Sequence, residues 1–137
     1  MLIDCPPSIG RLVVMGLVAS THAVVVTEPS AASVRGVDNV LRTVKVVKDH
    51  YNRQLDLAGI IVNHQNRTNE SALRVSEVVD TFGSSVWQPY VPVRAVIAEA
   101  MGAGVSVVEY GADARMVTET YDALSERVAT LTTKEYS

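Results

Sequence analysis

The stretch "AVVVTEPSAASVRGVDNVL", Ala23 to Leu41, changes its period halfway along. Ala23 to Thr27 is an unbroken run of small and β-branched residues, the pattern of a strand buried on both faces of a parallel sheet. Glu28-Pro29 closes it, because proline donates no backbone hydrogen and fixes φ. From Ser33 onward the apolar positions recur three or four apart: Val34, Val37, Leu41, Val44 and Val47, with Arg35, Asp38, Arg42, Lys45 and Asp49 between them. This spacing predicts an amphipathic helix over Ser33 to His50, lying on a sheet.

The same alternation continues outward in both directions. "LAGIIVN", Leu57 to Asn63, reads as a second buried strand. Thr68 to Phe82 reads as a helix with a threonine to cap it and Gly83 to stop it, and its stripe is Val75, Val78, Val79 and Phe82. A short strand near Val86 to Val91, a helix over Ala95 to Ala103 and the segment "VSVVEY" follow. The last helix, near Asp113 to Leu131, places Val117, Tyr121, Leu124, Val128 and Leu131 on one stripe. Upstream, "GRLVVMGLVAS" is apolar nearly all round and predicts a buried helix. Before it, "LIDCPPSIG" reads as the end of a buried strand, Leu2 to Asp4, delivering a carboxylate into a loop that Pro6 and Pro7 keep out of regular structure. The expected fold class is therefore α/β: a parallel sheet flanked by helices, with right-handed connections. Residues 1–137 form a single unit without repeats or linkers, ending in a frayed tail at 132–137.

Composition narrows the function. The chain is 47% hydrophobic and 20% charged, with seven aromatic residues by count of its one Trp, five Tyr and one Phe, too few for base-stacking platforms. A net charge of −3 gives the whole chain no electrostatic reason to seek DNA or acidic lipid, so any DNA contact must come from a local patch. Cys5 is the only cysteine, which excludes an internal disulfide and multi-cysteine metal sites and fits a reducing compartment. The longest apolar stretch, Leu12 to Ala19, is too short to span a bilayer, and no basic region precedes a hydrophobic one at the start.

In an open parallel sheet, ligands sit outside the carboxyl ends of the strands where strand order reverses. That directs attention to the loops Asp4–Gly10, Thr27–Ser30, Asn63–Thr68 and Val91–Arg94. The first holds an acid and two prolines, the second Glu-Pro, the third the hydrogen-bonding string "NHQNRTN", and the fourth a proline followed by Arg94.

These segments carry a resemblance. "LIDCPPSIG" resembles the Walker B and switch II segment of the ParA family, the deviant-Walker P-loop ATPases of plasmid and chromosome partition. "AVVVTEPSAASVRGVDNVL", "LAGIIVNHQNRTNESALRVSEVV" and "VWQPYVPVRAVIAEAMGAGVSVVEY" resemble, in order, the family's next strand and helix, its Arg-Thr-Asn loop with the following helix, and its segment from "IP" to "G-P-V". The resemblance covers nearly the whole chain and implies the C-terminal half of a P-loop NTPase fold of the SIMIBI type. The family's phosphate loop and switch I acid would precede Met1.

The resemblance implies roles residue by residue. Asp4 would orient Mg²⁺ through a bound water, since this hard cation keeps waters and takes few carboxylates. Pro6 and Pro7 would shape the switch loop that senses the γ-phosphate. Asn63 would meet the adenine edge, which an amide suits because it both donates and accepts, and Pro92 would pack beside the base. Arg67 would contact DNA without sequence preference, with Arg74 and Arg94 completing a small phosphate-facing patch. The family often carries further basic residues after "IP", where this chain has Val93 and Val96 around Arg94, so that patch is weakened or shifted. Cys5 reads as a small buried hydrophobe, the histidines His22, His50 and His64 lack metal-ligand spacing, and Trp87 reads as a packing residue.

Two functions follow as expectations. The first is a cytoplasmic ParA-like ATPase of plasmid or chromosome partition, binding ATP and Mg²⁺, dimerising on nucleotide, coating non-specific DNA and answering to a ParB-like partner, with no membrane involvement. No catalytic residue lies in these 137 residues, and without a phosphate loop the chain should not hydrolyse ATP alone. The alternative is a non-catalytic truncated paralogue that acts as a binding or regulatory module. The MinD-like branch would need a C-terminal amphipathic membrane helix, and the iron-carrier and nitrogenase-reductase branches would need cluster cysteines; neither is present. The incomplete half is expected to leave strand edges and apolar faces uncovered.

Overall fold

The structure, a computed structural model, describes residues 1–6 and 10–133. Three parallel strands, β1 (His22–Thr27), β2 (Asp56–Val62) and β3 (Val86–Trp87), lie side by side in chain order. Around them run α1 (Arg11–Val18), α2 (Ser33–His50), α3 (Asn69–Phe82), α4 (Ala95–Ala103) and α5 (Arg115–Thr133). The α/β class with a parallel, helix-flanked sheet is as the sequence predicts. Among the described strands the order does not reverse, so the sheet has no switch point of its own.

One face of the sheet is covered by the helices that follow β1 and β2. Val25 and Ile60 pack with Val37 of α2, and Val62 packs with Val75 and Val78 of α3. Below them Leu17 of α1, Ala23, Val44, Val47 and Leu55 form a contiguous cluster. On the opposite face α5 lays Leu124 against Trp87, with Ala58 and Ile61 at the edge of the contact. α2 spans the expected Ser33–His50, and α3 is capped as read: the Thr68 side chain accepts from Ser71 N–H, and Gly83 turns the chain at φ 55°.

Four expectations are corrected. β1 is not buried on both faces: Val24 and Val26 are exposed, because α5 seats over β2 and β3 and leaves that face of β1 open. α1 is not a buried helix, since Leu17 alone is fully buried while Leu12, Met15 and Val18 face outward. Leu2 to Asp4 form no strand; they are exposed and pair with none of the three described strands. The strand at Val86 ends at Trp87, because Pro89 has no N–H to give a ladder, and pairing resumes only at the bridge between Gln65 and Pro92. At the far end α5 continues through Thr133, and Lys134 to Ser137, most of the tail expected at 132–137, lie outside the described residues.

Candidate nucleotide-facing edge

Parallel strands present all their carboxyl ends on one side, so the loops after β1, β2 and β3 meet there. Backbone hydrogen bonds lock them into register: Asn63 N–H donates to Thr27 O at 2.8 Å, Val91 N–H to Val62 O at 2.9 Å, and Gln65 N–H to Val91 O at 2.9 Å. Val93 N–H then donates back to Gln65 O at 2.9 Å. Residues 63 and 64 are thereby held between two fixed points. Asn63 is half-buried and, among the described residues, its amide makes no side-chain hydrogen bond; Pro92 is buried in the next segment.

Two residues to which the sequence reading gave no binding role shape this edge. His64 Nδ1 lies 2.7 Å from Glu28 Oε1, which ties the loop after β2 to the loop after β1, with both side chains more than half exposed. His64 has φ 55°, a left-handed backbone that histidine tolerates better than β-branched residues do. The available signal was a polar residue straight after a strand-ending Asn. Glu28 is positioned from below: the buried Ser33 hydroxyl donates to Glu28 O and accepts from Ser30 N–H at 2.7 Å, so the turn into α2 is fixed by one side chain.

The loop running into α3 is equally ordered. Asn66 Oδ1 accepts from the Thr68 hydroxyl at 2.6 Å and from Thr68 N–H at 3.1 Å, while Asn66 N–H donates to Ser71 Oγ at 3.2 Å. Arg67 between them is exposed and makes no ion pair among the described residues. Arg94 donates to Val93 O at 2.9 Å and approaches Met116 Sδ at 3.1 Å, leaving its charge without a carboxylate partner among the described residues. Arg74 differs. It is held by Glu77 at 3.0 Å and Glu70 at 3.7 Å, and its side chain is 24% exposed, so its charge is largely spent within α3.

The remaining candidates lie elsewhere. Asp4 and Pro6 are exposed on the segment that begins beside Ser20, Thr21 and His22 at the amino end of β1. Pro7 lies outside the described residues. Asp4 is flanked by Ile3 and Cys5, which both approach Gly16 of α1: a Cβ placed on Gly16 would lie 3.1 Å from Cys5 Sγ and 3.6 Å from Ile3 Cγ2. Cys5 itself is exposed, against the expectation that it is buried. Among the described residues no group of three or more His, Cys, Asp or Glu could hold a metal. Asn63 and Pro92 therefore lie together on the carboxyl edge, whereas Asp4 lies on the separate segment that rests on α1.

The chain was compared with known proteins. A family model described as "AAA domain" matches residues 1–57. The sporulation initiation inhibitor protein Soj of Bacillus subtilis is 30% identical over 130 residues, covering 94% of this chain and 51% of that protein. The chromosome-partitioning ATPase Soj of Treponema pallidum is 31% identical over 113 residues, covering 82% of this chain and 45% of that protein. The chromosome partitioning protein ParA of Caulobacter vibrioides is 28% identical over 111 residues, covering 80% and 42%. Among solved structures, cobyrinic acid a,c-diamide synthase of Mycobacterium smegmatis with bound ATP analog and magnesium superposes with a TM-score of 0.58 at 33% identity, over 65% of this chain and 36% of that one. Its form with ADP and magnesium gives 0.59 at 27% identity, over 74% and 46%. The chain spans about half the length of the curated relatives it matches.

Proposed function

Because the chain belongs to the ParA family of partition ATPases, we propose that it forms the base-binding and DNA-facing part of a ParA-like ATPase. The observation that carries this is the carboxyl edge: Asn63, with its amide free for a ligand, is fixed between the Thr27 and Val91 hydrogen bonds and next to the segment that holds Pro92. An adenine presents a donor and an acceptor on one edge, and a fixed carboxamide answers both. Pro92 supplies an apolar wall. When bound, Mg²⁺ would neutralise part of the charge on the nucleotide's phosphates, as phosphoryl transfer requires. Asp4 would then hold one of the cation's waters, and Pro6 and Pro7 would shape the loop that follows it.

In this reading DNA contact is a second role of the same edge. Arg67 and Arg94 sit on segments joined by the Val93-to-Gln65 hydrogen bond, and neither is neutralised by a carboxylate among the described residues. Arg74 contributes less, because Glu70 and Glu77 already engage it. Nucleotide-dependent dimerisation, a ParB-like partner and a cytoplasmic location complete the proposal. Among the described residues no helix is long and apolar enough to cross a membrane.

The test is a chimera in which this chain replaces the matching half of B. subtilis Soj. A folded chimera that hydrolyses ATP, and loses that activity on Asp4→Ala, supports the reading. A folded chimera without turnover, or one indifferent to Asp4→Ala, overturns it and favours a non-catalytic regulatory module.

A further inference from the structure

α1 is anchored very differently at its two ends. Its amino end has no side-chain cap at Gly10 and no acidic residue in the first turn, and it places Arg11 against the positive end of the helix dipole. Its carboxyl end is held from outside the helix. Asn52, in the turn between α2 and β2, donates Nδ2 toward three carbonyls: Leu17 O at 3.3 Å, Val18 O at 3.1 Å and Ser20 O at 2.6 Å. The Ser20 hydroxyl adds a bond to Gly16 O at 2.6 Å.

Asn52 is itself immobilised on every side. Its N–H donates to Val47 O at 2.8 Å, its carbonyl accepts from Leu55 N–H at 3.1 Å, and its Oδ1 accepts from Gln54 N–H at 3.1 Å. Val47 and Leu55 are core residues, so Asn52 is bonded to the backbone of two elements of the main hydrophobic cluster. The orphan carbonyls at the end of α1 are satisfied by a side chain 32–35 positions away in sequence, a clasp rather than a local cap.

The segment carrying Asp4 rests on this helix, one turn back from the clasp. Ile3 and Cys5 lie across Gly16, where the absent Cβ leaves room for them. We propose that Asn52 is a positioning residue for Asp4: it fixes the carboxyl end of α1, and α1 in turn fixes the Asp4 segment through the seat at Gly16. The role given to Asp4 rests on the nucleotide reading above, whereas the clasp and the seat do not.

The lone cysteine makes the seat directly readable, because Cys5 is exposed and is the only thiol to react. The experiment measures the rate at which a neutral disulfide reagent modifies Cys5, together with amide exchange across α2 and β2. In Asn52→Ala, labelling should rise several-fold while Val44 and Ile60 keep their protection. Asn52→Gln, which restores a donor amide, should recover part of the loss. Gly16→Val should raise labelling by unseating the segment directly, and the double variant should label no faster than the faster single one. Val75→Ala, a core truncation in α3 that packs with Val62 and Val78, should leave the rate unchanged.

An unchanged rate in Asn52→Ala overturns the proposal. So does a rise accompanied by loss of protection throughout α2 and β2, or an additive double variant, because either would make Asn52 a general stabiliser. A final arm adds ATPγS and Mg²⁺. Slower Cys5 labelling that depends on Asp4 ties the seat to nucleotide; no change there removes the nucleotide reading and leaves the clasp to stand or fall on the first arms.

Discussion

Trp87 lies directly over Gly59: a Cβ added to Gly59 would come within 2.0 Å of the indole Nε1. The contact follows from the β2–β3 register: Trp87 pairs with Ile61, and Gly59, two residues back along β2, lies on the same face. Trp87 is buried, packs against Leu124, and carries Arg127 5.6 Å above its ring. Replacing Gly59 by Ala therefore drives a methyl group into a filled site. Overpacking of this kind costs about 1–3 kcal/mol. Urea unfolding followed by the emission of this only tryptophan should show the loss.

Leu55 is fully buried where α1, α2 and β1 meet. Leu55→Ala removes core contacts with little chance of collapse, at a cost of about 2–5 kcal/mol. Thermal unfolding should show a larger drop for this variant than for Leu57→Ala, since Leu57 is only half-buried.

His64 separates backbone from side-chain effects. At φ 55°, His64→Gly relieves the left-handed strain while removing the Glu28 partner, and exposed pairs of this type contribute about 0–1 kcal/mol, so little change is expected. His64→Val keeps a side chain in a region β-branched residues avoid, and should cost about 1–2 kcal/mol more than the glycine variant. Chemical denaturation of the pair measures the difference.

Acid sensitivity should arise at the opposite end of the sheet. The Lys48 hydrogen bond holds the Asp56 carboxyl below its ordinary value of 3.8, and the Lys45 hydrogen bond does the same for Asp49. A lowered folded-state pKa contributes stability that is fully present above the ordinary value and is lost as pH falls through the folded one. Asp56→Asn should thus be slightly less stable than the native chain near neutral pH, and the gap should close below that range. Both carboxylates are exposed, so the effect is small and should shrink further in salt. Urea midpoints across the acid limb provide the check.

Much of this was readable because local signals agreed with one another. α2 and α3 follow their apolar stripes, and Thr68 and Gly83 close α3 where capping chemistry places them. The misreadings share one cause. Val24, Val26, Leu12 and Met15 are apolar and exposed, and a pattern of apolar residues reports what a segment can bury, not whether a partner surface is there. The Glu28–His64 tie and the Asn52 clasp were invisible for a different reason: each joins residues brought together only by the fold, and neither has a spacing to detect.

The open face has its own consequence. Val26 on β1 and, separately, Leu12 and Met15 on α1 are exposed apolar residues, and the outer edge of β1 is unpaired among the described strands, features that promote self-association. The double variant Leu12→Lys, Val26→Lys should sediment as a smaller species than the native chain at equal concentration.

The most direct measurement is a titration of this chain with fluorescent ATP and Mg²⁺, comparing it with Asn63→Ala and Asp4→Ala. Saturable binding that Asn63→Ala abolishes and Asp4→Ala weakens only when Mg²⁺ is present is the predicted result. Binding that ignores Asn63, or a folded chain that binds no nucleotide at all, would contradict the assignment of the carboxyl edge as the base site.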